Sequence, residues 1–328
     1  MSDSRSVTRR GFIGGTVAAL AAAQAAAGGD ASKALAAGPQ SPVPNEAAKA
    51  MPYGMLGKTK LSRLFFGGNL VGGCMHCRGL KYVEPLFRAY VTEAKLYETF
   101  KLAEEYGINV VFESGQDLVV NYNKKFGGHM MCIPSIHPDI NQSDAVIKDE
   151  IKQKIDAGAP ALYIWGVRAD GLVHDHRLDI IAKAVDLAKA ENIPTGVGAH
   201  CLTVIKECEK AKISADFYVK TFHSDDYPTA TPKERRTEWS EGGGIYDNMW
   251  CNSAEETAAF MRSVAKPWIA FKVLAAGGIA PRQGFAHAFR GGADFIAVGM
   301  FDFQIKENCE LMPRIVKMTQ KRDRPWHS

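Results

Sequence analysis

The sequence predicts an α/β protein folded as a single-domain (β/α)8 TIM barrel. Short β-type runs alternate with amphipathic helical stretches from residue 64 onward, which is the pattern of a parallel sheet. The β-type runs number eight, and eight β/α units over about 260 residues match the size of such a barrel.

Taken in order, the predicted strands are RLFFGGN (63–69), INVVFES (108–114), HMMCIPS (129–135), ALYIWGV (161–167), IPTGVGAH (193–200), DFYVKTFH (216–223), WIAFKVLAAGG (268–278) and FIAVGMFD (295–302). Between them lie helical patterns such as 92–107, 143–159, 178–192 and 253–266, the last opening on a Ser253/Glu256 capping box. Several of these end in Gly or Asn, residues suited to a helix C-terminus. The connection after the sixth strand, residues 224–252, is far longer than the usual two to six residues and reads as a lid or substrate wall. Its Tyr227, Trp239, Tyr246 and Trp250 either stack on sugar rings or bury the loop against the barrel.

Composition fits a globular protein: of 328 residues 46% are hydrophobic and 23% charged, and a chain this long can bury a core without disulfides. The formal charge of +4 is partly carried by Arg5, Arg9 and Arg10, and nothing in the remainder reads as a nucleic-acid surface. The segment 1–27 reads as a leader, with Arg9-Arg10 between Thr8 and Phe12 ahead of a Gly/Ala-rich run too short and mild to anchor in a membrane. It resembles a twin-arginine signal, which implies recognition by the twin-arginine export machinery and a periplasmic location. Residues 28–50 read as a flexible linker and 51–328 as the catalytic domain. Seven cysteines are an odd number for an exported chain, so at least one is free, metal-bound or paired between chains, and a homo-oligomer stays open. A haem-attachment reading of Cys74-Met75-His76-Cys77 fails because Arg78 follows where a His is required.

Two stretches carry family resemblances. MPYGMLGKTKLSRLFFGGN (51–69) with TEAKLYETFKLAEEYGINVVFES (92–114) resembles the opening of the aldo/keto reductases, barrel enzymes that use NADPH and a catalytic Asp, Tyr, Lys and His. Glu113 stands where the Asp would be, Leu118 where the Tyr would follow, the third strand has no Lys, and Trp165-Gly166 stands where the His belongs. The resemblance therefore implies the fold, while the missing tetrad and the exported location argue against NADP as cofactor. The stretches ADFYVKTFH (215–223), WIAFKVLAAGGI (268–279) and GGADFIAVGM (291–300) resemble the last strands of deoxyribose-phosphate aldolase-type barrels. That family places one Lys on strand six and one on strand seven, where Lys220 and Lys272 stand.

In barrels of this kind chemistry sits at the C-terminal ends of the strands. The residues expected there include Asn69, Cys74, His76 and Cys77, then Glu113, Ser135, His137, Trp165, His200, Lys220, His223, Lys272 and Asp302. Strand alternation places Ala270, Lys272 and Leu274 inside the barrel and Ile269, Phe271 and Val273 against the helices. Lys220 and Lys272 could depress each other's pKa and form a Schiff base, pair with a carboxylate such as Glu113, or anchor an anionic substrate. His200 and His223, from neighbouring strands, could hold a transition metal (Zn, or Cu, Fe or Mn) with Glu113 or His137. Equally, they could act as acid/base groups without metal. Cys74 and Cys77 offer further metal ligands or a disulfide. Gly277, Gly278 and Gly299 resemble the barrel's phosphate cradle. The expected function is a periplasmic enzyme performing metal-assisted lyase, hydrolase or isomerase chemistry on a small carbonyl or carbohydrate-derived substrate. Alternatives are a remodelled reductase, a Schiff-base aldolase or a non-catalytic metal-binding protein.

Overall fold

The computed structural model describes residues 50–77, 79–238 and 249–328. The leader (1–27), all of the linker (28–50) but its last residue, Arg78, Trp239 and Tyr246 lie outside the described residues. Eight parallel strands close on themselves: β3 (Leu64–Gly67), β4 (Val110–Glu113), β5 (Met131–Ile136), β6 (Leu162–Ile164), β7 (Thr195–Ala199), β8 (Phe217–Thr221), β9 (Trp268–Phe271) and β10 (Phe295–Val298), with β10 pairing back onto β3. Seven of the eight predicted strands contain one of these whole, and the third, 129–135, contains β5 except for Ile136.

Ahead of the barrel, β1 (Tyr53–Leu56) and β2 (Thr59–Ser62) form an antiparallel hairpin around Gly57, whose φ of +60° suits a two-residue turn. This element has no counterpart in the sequence reading. Leu56 and Leu61 of the hairpin join the cluster inside the barrel, with Phe65, Phe112, Tyr163, Phe217, Ile269 and Phe295. The second, larger cluster lies between strands and helices and contains Phe66, Val111, Leu162, Val197, Tyr218 and Trp268.

The helical layer among the described residues runs α1 (Gly68–Val71), α2 (Val83–Tyr90), α3 (Glu93–Glu105), α4 (Gln116–Phe126), α5 (Asp144–Asp156), α6 (Gly166–His174), α7 (Leu178–Ala190), α8 (Leu202–Lys210), α9 (Ala254–Met261), α10 (Pro281–Arg290) and α11 (Asp302–Met318). Their starts follow local chemistry. Thr92 caps α3 by accepting from the Lys95 N–H, Ser253 caps α9 by accepting from the Glu256 N–H, and Pro281 opens α10. Among the described residues no helix is long and apolar enough to cross a membrane.

The chain's last residues lock the end opposite the site. The fully buried Arg324 donates to the carbonyls of Met261, Gly292, Val264 and Lys266 and to Asp294 Oδ2 at 2.7 Å. Arg322 reaches Asp294 Oδ1 at 3.2 Å, and the Arg63 guanidinium donates to the Asp294 carbonyl. Trp326 lies between the guanidinium groups of Arg63 and Arg322, at 4.0 and 3.5 Å from its ring centre. Burial pushes both of these guanidinium groups down to about 10, against the pull of Asp294.

Candidate active site

A cavity of about 280 Å³ opens at the C-terminal ends of β3, β4, β9 and β10. Its wall carries four polar side chains from the predicted rim, Asn69, His76, Glu113 and Lys272, together with the Cys74 thiol. Gly67, Gly68, Gly277 and Gly299 bring backbone to the surface of the same cavity. Close approach explains the first pair: a Cβ on Gly67 would lie 2.5 Å from the Gly299 nitrogen, and one on Gly68 2.3 Å from the Phe112 oxygen. Gly278, expected in the cradle, instead follows the 3-10 turn Ala275–Gly277 and donates its N–H to the Ala275 carbonyl.

Two of these side chains arrive through unusual backbone. Glu113 ends β4 at φ +79°, and the Ser114 N–H closes back onto the Phe112 carbonyl, a three-residue γ-turn. Lys272 follows β9 at φ +56°, with its carbonyl accepting from the Ala275 N–H. Left-handed backbone in residues other than Gly costs of order 1 kcal/mol each and collects at functional sites.

The turn at Lys272 corrects the predicted alternation. Ile269 and Phe271 point into the barrel, whereas Ala270 and Val273 belong to the outer cluster. Lys272 reaches the mouth because its own backbone leaves the strand geometry, not because it occupies an inward position. Its Nζ lies 2.9 Å from His76 Nε2 and 4.0 Å from the centre of the Trp250 ring, and that ring packs on His76 at 4.5 Å. The ammonium is therefore held between an aromatic face and an imidazole.

His223 does not face the mouth. It is fully buried, its Nδ1 donating to the Ser224 carbonyl at 2.8 Å while Nε2 accepts from the N–H groups of Trp250 and Cys251 at 3.0 and 3.1 Å. Both ring nitrogens are engaged, and burial pushes the imidazole down to about 4. His223 thus pins the returning end of the long loop and sets Trp250 over Lys272. Arg236 holds the outgoing part of that loop through Asp225 at 2.6 Å and the Asn252 carbonyl at 3.0 Å. Tyr227 donates to Met249 Sδ, and Trp250 is largely buried against the barrel.

Lys220 also departs from expectation. It shares the face of β8 that carries Tyr218, towards the helices, and it lines a second cavity of about 310 Å³ with His200, Cys201 and Arg236. Its Nζ donates to the carbonyl and hydroxyl of Thr221, both at 2.8 Å, and burial holds the ammonium below its ordinary value. The two lysines therefore serve different cavities.

His200 is oriented by Asp170, which lies 2.8 Å from its Nδ1 and accepts from the N–H groups of His200 and Cys201. Among the described residues no group of three or more His, Cys, Asp or Glu is placed to hold a metal ion. The expected ligands His200, His223, Glu113, Cys74 and Cys77 are not brought together. Glu113 and Cys74 line the first cavity, His200 lines the second, and His223 is spent on the backbone. All seven cysteines are free thiols. Burial pushes Cys132, Cys208 and Cys309 up to about 12.

Sequence reasoning placed Trp165, Ser135 and His137 at the mouth without foreseeing their contacts. Trp165 Nε1 donates to Glu113 Oε1 at 2.8 Å. Ser135 Oγ lies 3.1 Å from His137 Nε2, and His137 Nδ1 lies 2.8 Å from Glu150 Oε1. Ser135 and His137 were expected at the mouth.

No family model matches the sequence, and no curated protein matches it. Solved structures match the fold. A protein assigned as an aldo-keto reductase from Pseudomonas aeruginosa is 13% identical, with 80% of this chain and 95% of that one covered and a TM-score of 0.53. The chain is a (β/α)8 barrel. A mandelate oxidase (10% identical, 89% of each chain, TM-score 0.47) and a protein assigned as a deoxyribose-phosphate aldolase from Coccidioides immitis (13% identical, 82% and 91%, TM-score 0.45) resemble it too loosely for argument. These neighbours are barrel enzymes, and the likeness extends to the fold alone.

Proposed function

We propose that this barrel is an enzyme of proton-transfer chemistry, an isomerase or lyase acting on a small carbonyl compound at the cavity above β3, β4, β9 and β10. One observation carries the reading: Glu113 and Lys272, a carboxylate and an ammonium, line one cavity at barrel strand ends, and both stand on left-handed backbone. Glu113 is the base that takes a proton from the carbon beside the carbonyl. Lys272, fixed by His76 and Trp250, stabilises the developing oxyanion. A cavity of about 280 Å³ suits a small substrate. The reading routes no step through a metal, because among the described residues the donors in place do not form a ligand set. The exported location rests on the Arg9-Arg10 leader alone.

The test is hydrogen exchange from deuterated water into a panel of small aldehydes, ketones and keto acids, followed by NMR. Glu113→Gln should lower exchange by about 10²–10⁴-fold and Lys272→Met by about 10²–10³-fold, with thermal midpoints kept. Exchange surviving within tenfold in both variants would remove these residues from the chemistry. NADPH-dependent turnover of the same panel would favour a reductase instead.

A further inference from the structure

We infer that Ser135, His137 and Glu150 form a nucleophilic triad at the strand-end rim of the barrel, a second catalytic centre that cleaves small uncharged esters. The inference is independent of the roles proposed for Glu113 and Lys272. Both contacts of the triad are direct. Ser135 Oγ lies 3.1 Å from His137 Nε2, and His137 Nδ1 lies 2.8 Å from Glu150 Oε1. A hydroxyl within reach of a base that is itself oriented by a third group is the arrangement that activates serine, whatever fold carries it.

Strand alternation and one helix bring the three together. β5 turns Met131 and Ile133 to the inner cluster and Cys132 and Ile136 to the outer one, which makes Ser135 its last inward residue. Glu113 pairs with Pro134, so Ser135 stands one position nearer the strand ends than a residue that already lines the open cavity. His137 follows β5 directly with its side chain 43% exposed, and Ser135 retains 4% exposure beside it. Glu150, in the middle of α5, spends both oxygens on His137, Oε1 on the ring and Oε2 on the backbone N–H at 3.1 Å. A carboxylate aimed twice at one histidine fixes its position and its ring orientation together.

Glu150 also sets the direction of the hydrogen bonds. Burial disfavours its charge, but hydrogen bonds from the His137 ring and backbone N–H outweigh it and hold Glu150 below its ordinary value. An ionised carboxylate only accepts, so His137 Nδ1 carries a proton and Nε2 of the neutral ring keeps its lone pair towards Ser135. The Ser135 hydroxyl therefore donates to Nε2, the state from which it can attack. Oγ bonds to the ester carbonyl carbon as its proton passes to Nε2. The bond from that carbon to the alkoxy oxygen then breaks, and the leaving oxygen takes the proton from Nε2. Water attacks the acyl carbon and gives a proton to Nε2, and the Ser135–acyl bond breaks as Oγ recovers that proton. The products are the acid and the alcohol, and the triad is restored. Its surroundings select the substrate. Little of Ser135 is open, and Trp165 packs edge-on to His137 at 5.4 Å, so the acyl group is small. The Glu113 carboxylate, bonded to Trp165 on the neighbouring strand, disfavours an anionic one.

The test is labelling with diisopropyl fluorophosphate, read by intact mass and peptide mapping. Attack by Ser135 Oγ forms an Oγ–P bond and expels fluoride, with the serine proton taken up by His137. One diisopropylphosphoryl group per chain should appear on Ser135, be lost in Ser135→Ala, and form about 10²–10⁴-fold more slowly in His137→Gln. Glu150→Gln, which keeps the shape and removes the charge, should slow it as well. Unfolding the parent protein in urea keeps the serine and breaks the triad, so it should abolish labelling without any substitution. Hydrolysis of ethyl acetate by the folded protein, followed by NMR, should stop once Ser135 is labelled. No adduct on Ser135 in the folded parent protein would overturn the triad. So would an adduct there that forms equally fast in His137→Gln or in urea, which is the mark of a reachable but unactivated hydroxyl.

Discussion

Replacing Arg324 by Met isolates what the chain's end contributes, because Met keeps most of the stem and removes every donor. The guanidinium is fully buried and makes five hydrogen bonds, four to main-chain carbonyls and one to Asp294 Oδ2. The variant leaves Asp294, itself fully buried, with Arg322 as its side-chain cation, and strips partners from carbonyls at and just beyond the C-terminal end of α9 and after α10. Breaking a buried pair from one side costs about 3–5 kcal/mol. With an unfolding entropy of about 2.1 cal/mol/K per residue over roughly 280 residues, that loss lowers the midpoint by about 5–8 °C. Differential scanning calorimetry measures it directly. Arg324→Lys should recover little, because one ammonium cannot replace a fork that reaches five acceptors. The shift should persist in high salt, which screens exposed pairs far more than buried ones. A midpoint within about 1 °C of the parent protein would refute the claim that this arginine locks the barrel's lower end.

His223 gives a pH signature. Its folded pKa of about 4 lies below the ordinary 6.5, so the native state prefers the neutral ring. The stabilisation, about 3 kcal/mol, is complete above pH about 6.5 and is lost as pH falls towards 4. Urea midpoints between pH 7.5 and 4.5 should fall for the parent protein and fall less for His223→Asn, and equal slopes would sink the assignment. Gly68→Ala places a Cβ 2.3 Å from the Phe112 carbonyl and should destabilise by about 1–3 kcal/mol, read from the urea midpoint; an unchanged midpoint would mean that the backbone yields freely. A thiol reagent should label Cys74 and Cys77 in the native protein and reach the five buried cysteines only on unfolding, so rapid labelling of more than two would contradict the burial pattern.

The barrel was legible in the sequence because its causes are periodic. Eight runs such as INVVFES and FIAVGMFD are bounded by helices with ordinary caps, and a parallel sheet of eight strands at this length has one way to close. The β1–β2 hairpin was not legible, because its four-residue strands carry little alternation and Gly57 alone marks the turn. The C-terminal lock was equally hidden: nothing in the sequence around Arg322, Arg324 and Trp326 points to Asp294 and Arg63, the partners that the fold brings to them from far away in the chain.

The site was half legible, and the division has a physical cause. Glu113 and Lys272 lie at the cavity that sequence reasoning expected, yet period-two alternation assigned Lys272 to the mouth for the wrong reason. Extrapolating a strand's alternation assumes extended backbone up to the last residue. At Glu113 and Lys272 the chain turns left-handed just where the side chain must change direction, so the pattern fails at the positions that matter most. Lys220 and His223 failed in a related way. Their residue types and strand-end positions matched a reactive rim, but burial and main-chain partners gave them structural work, with His223 acting on the site only by holding Trp250 against Lys272. Residue type together with strand position therefore predicts which groups can reach a barrel mouth. Which of them retain a free chemical function depends on the hydrogen bonds each makes to the backbone, and those contacts join residues far apart in the chain.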